Sequence, residues 1–263
     1  MRPWAIVIFS LKACGIALAA EHHLAAGMIL FFGPDPWVLM QFIAPSAQAF
    51  GPAARSFVTD RREVWLTIDD GPDPSSTPRV LELLREHGAR ATFFVVGAQV
   101  AKHPGLARQI IAAGHTIGNH TQNHPVADFW MAPPGRIASE IDRCIAALLV
   151  ADVPFERYFR PPVGVRNFFL DSQLAERGLL QVLWSARGLD GSGRRPRAAL
   201  RRIARRIRPG GILLSHEAGS RPLERLQFVE LLLGHLAAEG YACVLPPREA
   251  LRIRADSSGP AIA

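Results

Sequence analysis

The sequence predicts a parallel α/β fold running from Glu63 to Leu245. Three observations predict it. Short apolar runs alternate with amphipathic ones from Glu63 onward, the pattern of strand followed by helix. The predicted strands are apolar throughout. Chemistry-bearing residues fall just past them: Asp69 and Asp70, His120 and His124, Asp190 and His216. In a βα barrel the strand C-terminal ends gather on one face, so residues far apart in sequence meet there.

The elements follow in order. The chain has 263 residues, enough for one large domain or a smaller one with an appendage. The first fifty residues are far more apolar than the rest and favour the appendage. Trp4–Ala20 is apolar except for Lys12, and Leu24–Ala44 is apolar except for Pro34-Asp35-Pro36. Each approaches the roughly 20 residues of a bilayer span, and each carries a charge costing about 2.5–3.5 kcal/mol at mid-membrane. Residues 1–50 are therefore expected to form a membrane hairpin or re-entrant pair. A signal peptide cleaved after Leu18-Ala19-Ala20 and a packing arm are the alternatives. Arg2 on one side and Arg55, Arg61 and Arg62 on the other would put both ends of a hairpin in the cytoplasm. Pro45–Thr59 reads as a linker of small residues, and residues 51–62 are taken as the boundary. The catalytic domain is expected over 63–248, with a tail over 249–263.

Val64–Ile68 is a short buried strand. Pro78–His87 is helical, with Val80, Leu81, Leu83 and Leu84 apolar, Thr77 as N-cap and Gly88 as stop. Ala91–Val96 is a strand, Ala98–Ala113 a helix interrupted at Pro104, and His115–Gly118 a strand. Ile137–Val150 is an amphipathic helix. Tyr158-Phe159 lead into Arg160-Pro161-Pro162-Val163-Gly164. A helix over Asp171–Arg177, a strand over Leu180–Ser185 and a helix over Pro196–Ile207 come next. Gly211–Ser215 and Tyr241–Leu245 are strands around a helix at Leu223–Glu239.

Composition narrows the function classes. Cys14, Cys144 and Cys243 are scattered, which gives neither a disulfide framework nor a thiolate metal site. The formal charge is +7, and 28 of the 30 basic residues are Arg. Eight arginines fall between Arg194 and Arg208. They read as the solvated face of an outer helix, with phosphate or anionic headgroup binding as the alternative. No aromatic platform or DNA-reading motif accompanies them, so no nucleic-acid partner is expected. Trp130 and Phe129 read as core packing or a sugar subsite.

Adjacent carboxylates at the end of a strand point different ways, so one can hold a metal while the other acts as a base. Asp70 with His120 and His124 would offer a metal one carboxylate and two imidazoles, leaving positions open, as catalytic sites do. Pro125 disfavours helix at His124 and puts the pair on a loop.

In this order Thr67–Pro72, His120–His124, Arg160–Gly164, Arg187–Gly191 and Leu214-Ser215-His216 resemble the five motifs of the polysaccharide deacetylase family. That family is also called NodB-homology domains or carbohydrate esterase family 4. The resemblance covers about residues 60–248. It implies a distorted (β/α) barrel behind a hydrophobic N-terminal helical segment. It also implies removal of N-acetyl groups from an amino-sugar polysaccharide, oligosaccharide or glycolipid, with one divalent ion, zinc first and cobalt or nickel next. Asp70, His120 and His124 would be its ligands. Asp69 would be the general base, with Arg160 paired to it. His216 would be the general acid. Leu214 would wall the acetyl pocket, and Val163 would offer its N–H to the oxyanion, in a turn fixed by Pro161 and Pro162 and closed by Gly164. The fourth motif departs from the pattern: Arg187 replaces an aspartate and Gly191 a tryptophan. Asp190 is kept, and the resemblance implies that it steadies Arg160. The departure points to a wider or different substrate pocket. A lipid-linked amino sugar, N-formyl ones included, and a non-catalytic membrane-tethered glycan-binding barrel are the alternatives. With the hydrophobic segment, the reading places the protein at a bacterial inner membrane, on either side.

Overall fold

A computed structural model describes residues 3–43, 50–217 and 221–253. The chain runs α1 (Pro3–Ala20), α2 (Leu24–Phe32), α3 (Asp35–Ile43), β1 (Ser56–Phe57), β2 (Glu63–Asp69), α4 (Thr77–Glu86), β3 (Ala91–Val95), α5 (Gly97–Lys102), α6 (Pro104–Ala112) and β4 (Thr116–Asn119). It continues with α7 (Pro134–Val150), β5 (Tyr158–Phe159), α8 (Leu170–Ala175), β6 (Leu180–Gln181), β7 (Ala186–Arg187), α9 (Pro196–Ala204), β8 (Gly211–His216), α10 (Pro222–Ala238), β9 (Ala242–Cys243) and β10 (Leu251–Arg252).

The strands form one curled sheet in the order β10-β1-β8-β2-β3-β4-β5-β6, with β7 beside β8 and β9 beside β2. All pairings are parallel except those of β1 with β10 and β8. A bridge between Ala54 and Val182 joins the β6 end back toward β1, so the curled sheet is a distorted (β/α) barrel. Alternation along β2 explains its two-sided burial. Val64, Leu66 and Ile68 face the outer helices with Phe93, Ile117, Leu213 and Phe228. Trp65 faces inward with Phe94, Tyr158, Val182 and Ile212. Each such side chain contributes about 1.5–3 kcal/mol when fully buried.

Several boundaries moved for identifiable reasons. The helix expected over Ala98–Ala113 is two, α5 and α6, broken at His103-Pro104 because proline has no N–H to continue the ladder. The strand expected over Leu180–Ser185 divides because the chain changes neighbour. Leu180 and Gln181 pair with β5, whereas Ser185 N–H already donates to Ile212 O of β8 at 2.9 Å. Ser76, not Thr77, holds the N-cap position of α4, and its side chain makes no capping bond. Thr77 Oγ1 instead accepts from Asp73 N–H at 2.8 Å and donates to Glu217 Oε2 at 2.9 Å. Within the segment read as linker, β1 is a strand, and β10 at the start of the tail pairs with it, Ser56 opposite Arg252. Residues 45–49 of that linker, residue 44 before it and 254–263 of the tail lie outside the described residues.

The membrane expectation for residues 1–50 is overturned, and with it the inner-membrane placement. Among the described residues no helix is long and apolar enough to cross a membrane. The second apolar stretch breaks into α2 and α3 of nine residues each, and nine residues of helix span about 14 Å against a hydrocarbon core of about 30 Å. Lys12 forms an ion pair with Asp35 at 2.7 Å and donates to Phe31 O at 2.8 Å. Gly15 and Gly27 let α1 and α2 touch backbone to backbone; a Cβ on Gly15 would lie 2.7 Å from Gly27 O. These helices dock on the barrel. Trp4 packs against Phe50 and Phe168, Phe42 packs against Trp130, and Arg166 N–H donates to Phe42 O at 2.9 Å.

Candidate active site

The C-terminal ends of β2, β4 and β8 bring the expected residues into one cavity of about 340 Å³. Asp69, Asp70, His120, His124, Val163, Leu214 and His216 line it, together with Val126, Trp184, Arg187, Leu189, Gly191 and Ser192. A larger apolar hollow of about 520 Å³ lies between α1, α2 and α3 and has no titratable side chain in its lining.

Asp69 and Asp70 do point apart. Asp70 leaves the strand with φ 81°. Its Oδ1 lies 3.3 Å from His124 Nε2 and 3.5 Å from His120 Nε2, and has no hydrogen-bond partner although it is buried. One ligand atom from each of the three residues falls within 4.8 Å of the others, so the group can hold a metal ion. His120 Nδ1–H donates to Arg160 O at 2.7 Å, which leaves Nε2 with a free lone pair toward Asp70. The loop carrying His124 is held by Asn123, whose N–H and side-chain amide both donate to Glu140. Burial, then the charge of His120, pushes His124 down to about 4, so its imidazole is neutral near pH 7. Burial pushes Asp70 up, but contact with His120 and the charges of His216, His120 and His124 outweigh it and hold the carboxyl well below its usual range.

Asp69 turns into the barrel, where Arg160 Nη1 donates to its Oδ1 at 2.7 Å. The Arg160 guanidinium is fully buried. It also donates to Thr67 Oγ1, Val182 O and Leu183 O, and it lies 4.1 Å from the Phe94 ring. It therefore binds β2 to the chain after β6. Val163 has φ 49°, unusual for a β-branched residue, and lines the cavity. Gly164, at φ 71°, packs so tightly that a Cβ would sit 2.3 Å from Trp184 Cη2. Pro162 and Gly164 shape this turn and do not line the cavity.

Asp190 departs from expectation. It does not bond Arg160, which donates instead to Asp69, Thr67 and two carbonyls. Its Oδ2 instead accepts from His216 N–H at 2.8 Å and lies 3.1 Å from His216 Nδ1. Burial pushes His216 down, but the charge and hydrogen bond of Asp190, then the charges of Asp70 and Asp69, carry it up to about 9. Its Nε2 is left to the cavity. Gly191 packs on that ring, where a Cβ would lie 3.1 Å from Cε1.

Three residues near the site were not expected from sequence. Trp184 forms a wall of the cavity. Arg225, buried on α10, places Nη1 3.8 Å from Asp70 Oδ2. Glu217 is buried against Gly71, and burial raises its carboxyl to about 8. Nothing in local pattern marks Arg225, which reaches the site across the fold; Glu217 follows His216 directly. Trp130 packs on Phe42 and Phe129 is core, so neither lines this cavity.

Comparison with known proteins gives a consistent result. The polysaccharide deacetylase family model matches residues 58–181. A chitooligosaccharide deacetylase of Bradyrhizobium sp. is 36% identical over 163 residues, 61% of this chain and 73% of the relative. A peptidoglycan-N-acetylglucosamine deacetylase of Bacillus cereus is 33% identical over 189 residues, 69% of this chain and 84% of the relative. The structure of a family 4 carbohydrate esterase from Streptomyces lividans in complex with acetate superposes with TM-score 0.64 at 30% identity, covering 78% of this chain and all of that one.

Proposed function

Because the chain belongs to the polysaccharide deacetylase family, we propose that its cavity removes N-acetyl groups from an amino-sugar glycan of the kind its relatives' names describe, with Asp69 as base and His216 as acid. The protein is a metal-dependent deacetylase of an amino-sugar polymer. The observation that carries the assignment of roles is the set Asp70, His120 and His124, with ligand atoms within 4.8 Å, flanked in one cavity by Asp69 and His216.

The donor set fits a divalent ion. One carboxylate and two imidazoles suit zinc, with cobalt and nickel as substitutes. The buried, unpartnered Asp70 Oδ1 and the neutral His124 are what a cation requires there. When bound, such an ion acidifies a water and polarises an amide carbonyl. Arg160 fixes the Asp69 carboxylate so that it can take the water's proton. The Val163 N–H donates to the oxygen that gains charge as the carbonyl is attacked. His216, protonated below about pH 9, gives its proton to the leaving nitrogen, and acetate departs. Leu214 and Trp184 form the apolar wall for the acetyl methyl. The barrel that does this runs from the Ala54 bridge to β10, wider at both ends than 63–248.

The test is Asp69→Asn in the full chain, assayed by acetate release from an N-acetylated chitooligosaccharide and by elemental analysis for metal. Turnover should fall by about 10²–10⁴-fold with bound metal retained. Undiminished turnover would remove Asp69 from the role of base.

A further inference from the structure

Arg187 stands in the catalytic cavity without a counter-ion. It lies on β7 directly opposite Leu214 of β8, two residues before His216, and all three side chains line the same cavity. Its guanidinium carbon lies 5.3 Å from the Trp184 ring centroid, which holds the side chain against the cavity wall. Among the described residues no carboxylate reaches it. Burial comes first among the influences on its charge, then the like charges of Arg202 and Arg206, and all of them disfavour the cation. The other arginines near the site differ: Arg160 holds Asp69 at 2.7 Å and Arg225 lies 3.8 Å from Asp70. Of the cavity's own carboxylates, Asp69 is paired to Arg160 and Asp70 belongs to the candidate metal set with the histidines.

A half-buried cation with no anion is costly, and the cost is offset when an anion arrives. The planar guanidinium fork matches carboxylate and phosphate oxygens two at a time. We propose that Arg187 forms an anion subsite, and that the substrate carries a carboxylate or phosphate that reaches Arg187 when its acetamide lies against Leu214 and His216. This rests on the deacetylase reading above and narrows its substrate class to acidic amino sugars.

Two measurements test it on the metal-loaded full chain. The first compares kcat/KM for acetate release from a neutral N-acetylglucosamine oligomer, from an oligomer alternating with N-acetylmuramic acid, and from N-acetylglucosamine oligomers bearing a terminal phosphate. The parent should favour one acidic substrate by about tenfold, the scale of a charge-assisted hydrogen-bonded pair. Arg187→Gln should bring the ratio near one, and Arg187→Lys should restore part of it. Which acid is favoured tells carboxylate from phosphate. Equal ratios in the parent and Arg187→Gln overturn the proposal.

The second measures calorimetric binding of N-acetylmuramic acid and N-acetylglucosamine 1-phosphate, against N-acetylglucosamine, to the inactive Asp69→Asn protein. Adding Arg187→Gln should weaken the acidic ligand by about tenfold and remove the salt dependence of its binding. Weakening by His124→Ala and not by Arg187→Gln would place the anion on the metal and overturn the subsite. Arg187-dependent binding without acetate release from any substrate would leave the subsite standing and sink the deacetylase reading instead.

Discussion

Asp190→Asn isolates the charge that raises the pKa of His216, the proposed acid. The substitution keeps an oxygen for the His216 N–H, now at 2.8 Å from Asp190 Oδ2, and for the ring nitrogen at 3.1 Å, and removes only the charge. Burial by itself lowers the His216 pKa, and Asp190 is the first cause that raises it, from 6.5 to about 9. If the imidazole returns to its ordinary value, its protonated fraction at pH 8 falls from about nine-tenths to about one-thirtieth. Turnover at pH 8 should fall by roughly thirtyfold, with a much smaller loss at pH 6. The assay is the pH profile of kcat/KM for acetate release, whose alkaline limb should move down by about two and a half pH units. The metal-free protein offers an independent readout. A histidine whose pKa rises on folding gives stability that is fully present below about pH 6.5 and is lost as pH rises through about 9. The difference corresponds to about 3 kcal/mol, and Asp190→Asn should flatten that slope. An alkaline limb at the same pH in both proteins, with the circular dichroism unchanged, would refute the coupling.

Two further outcomes are expected. His124→Ala should lower metal affinity by more than about a hundredfold, beyond what loss of an outer partner costs; full occupancy by elemental analysis would exclude His124 as a ligand. Gly164→Ala combines a positive φ of 71° with a Cβ 2.3 Å from the Trp184 ring. It should destabilise by about 2–5 kcal/mol, read as a fall in melting temperature of about 2–4 °C per kcal/mol. An unchanged melting temperature would show that Trp184 can move aside.

The proposed catalytic constellation is legible in the sequence because its members follow strands, and a strand's apolar run announces where its end will be. Asp69, His120 and His216 can therefore be assigned to one barrel face from their positions along the chain. The partner of Asp190 is not legible, since a carboxylate in a loop can turn to either of two cations and only the fold decides. Arg225 reaches Asp70 from a helix late in the chain, so local pattern carries no trace of it. The two-residue strands β1 and β10 are too short to show a period. The N-terminal segment misleads because hydropathy counts apolar residues and does not see where the helix breaks. Between His22 and Pro36 the chain turns twice, and its apolar faces meet one another and the barrel.

The turn that carries Val163 does not stand by itself. Three residues later, Arg166 binds the backbone of Phe42, and Phe168 rests on Trp4. One wall of the reaction chamber is thus buttressed from outside the barrel, by helices that a motif search would discard as packaging. A chain trimmed to its barrel would lose the abutment of that wall along with the appendage. The rim proposed to hold the developing oxyanion takes its set from the first forty-odd residues of the chain.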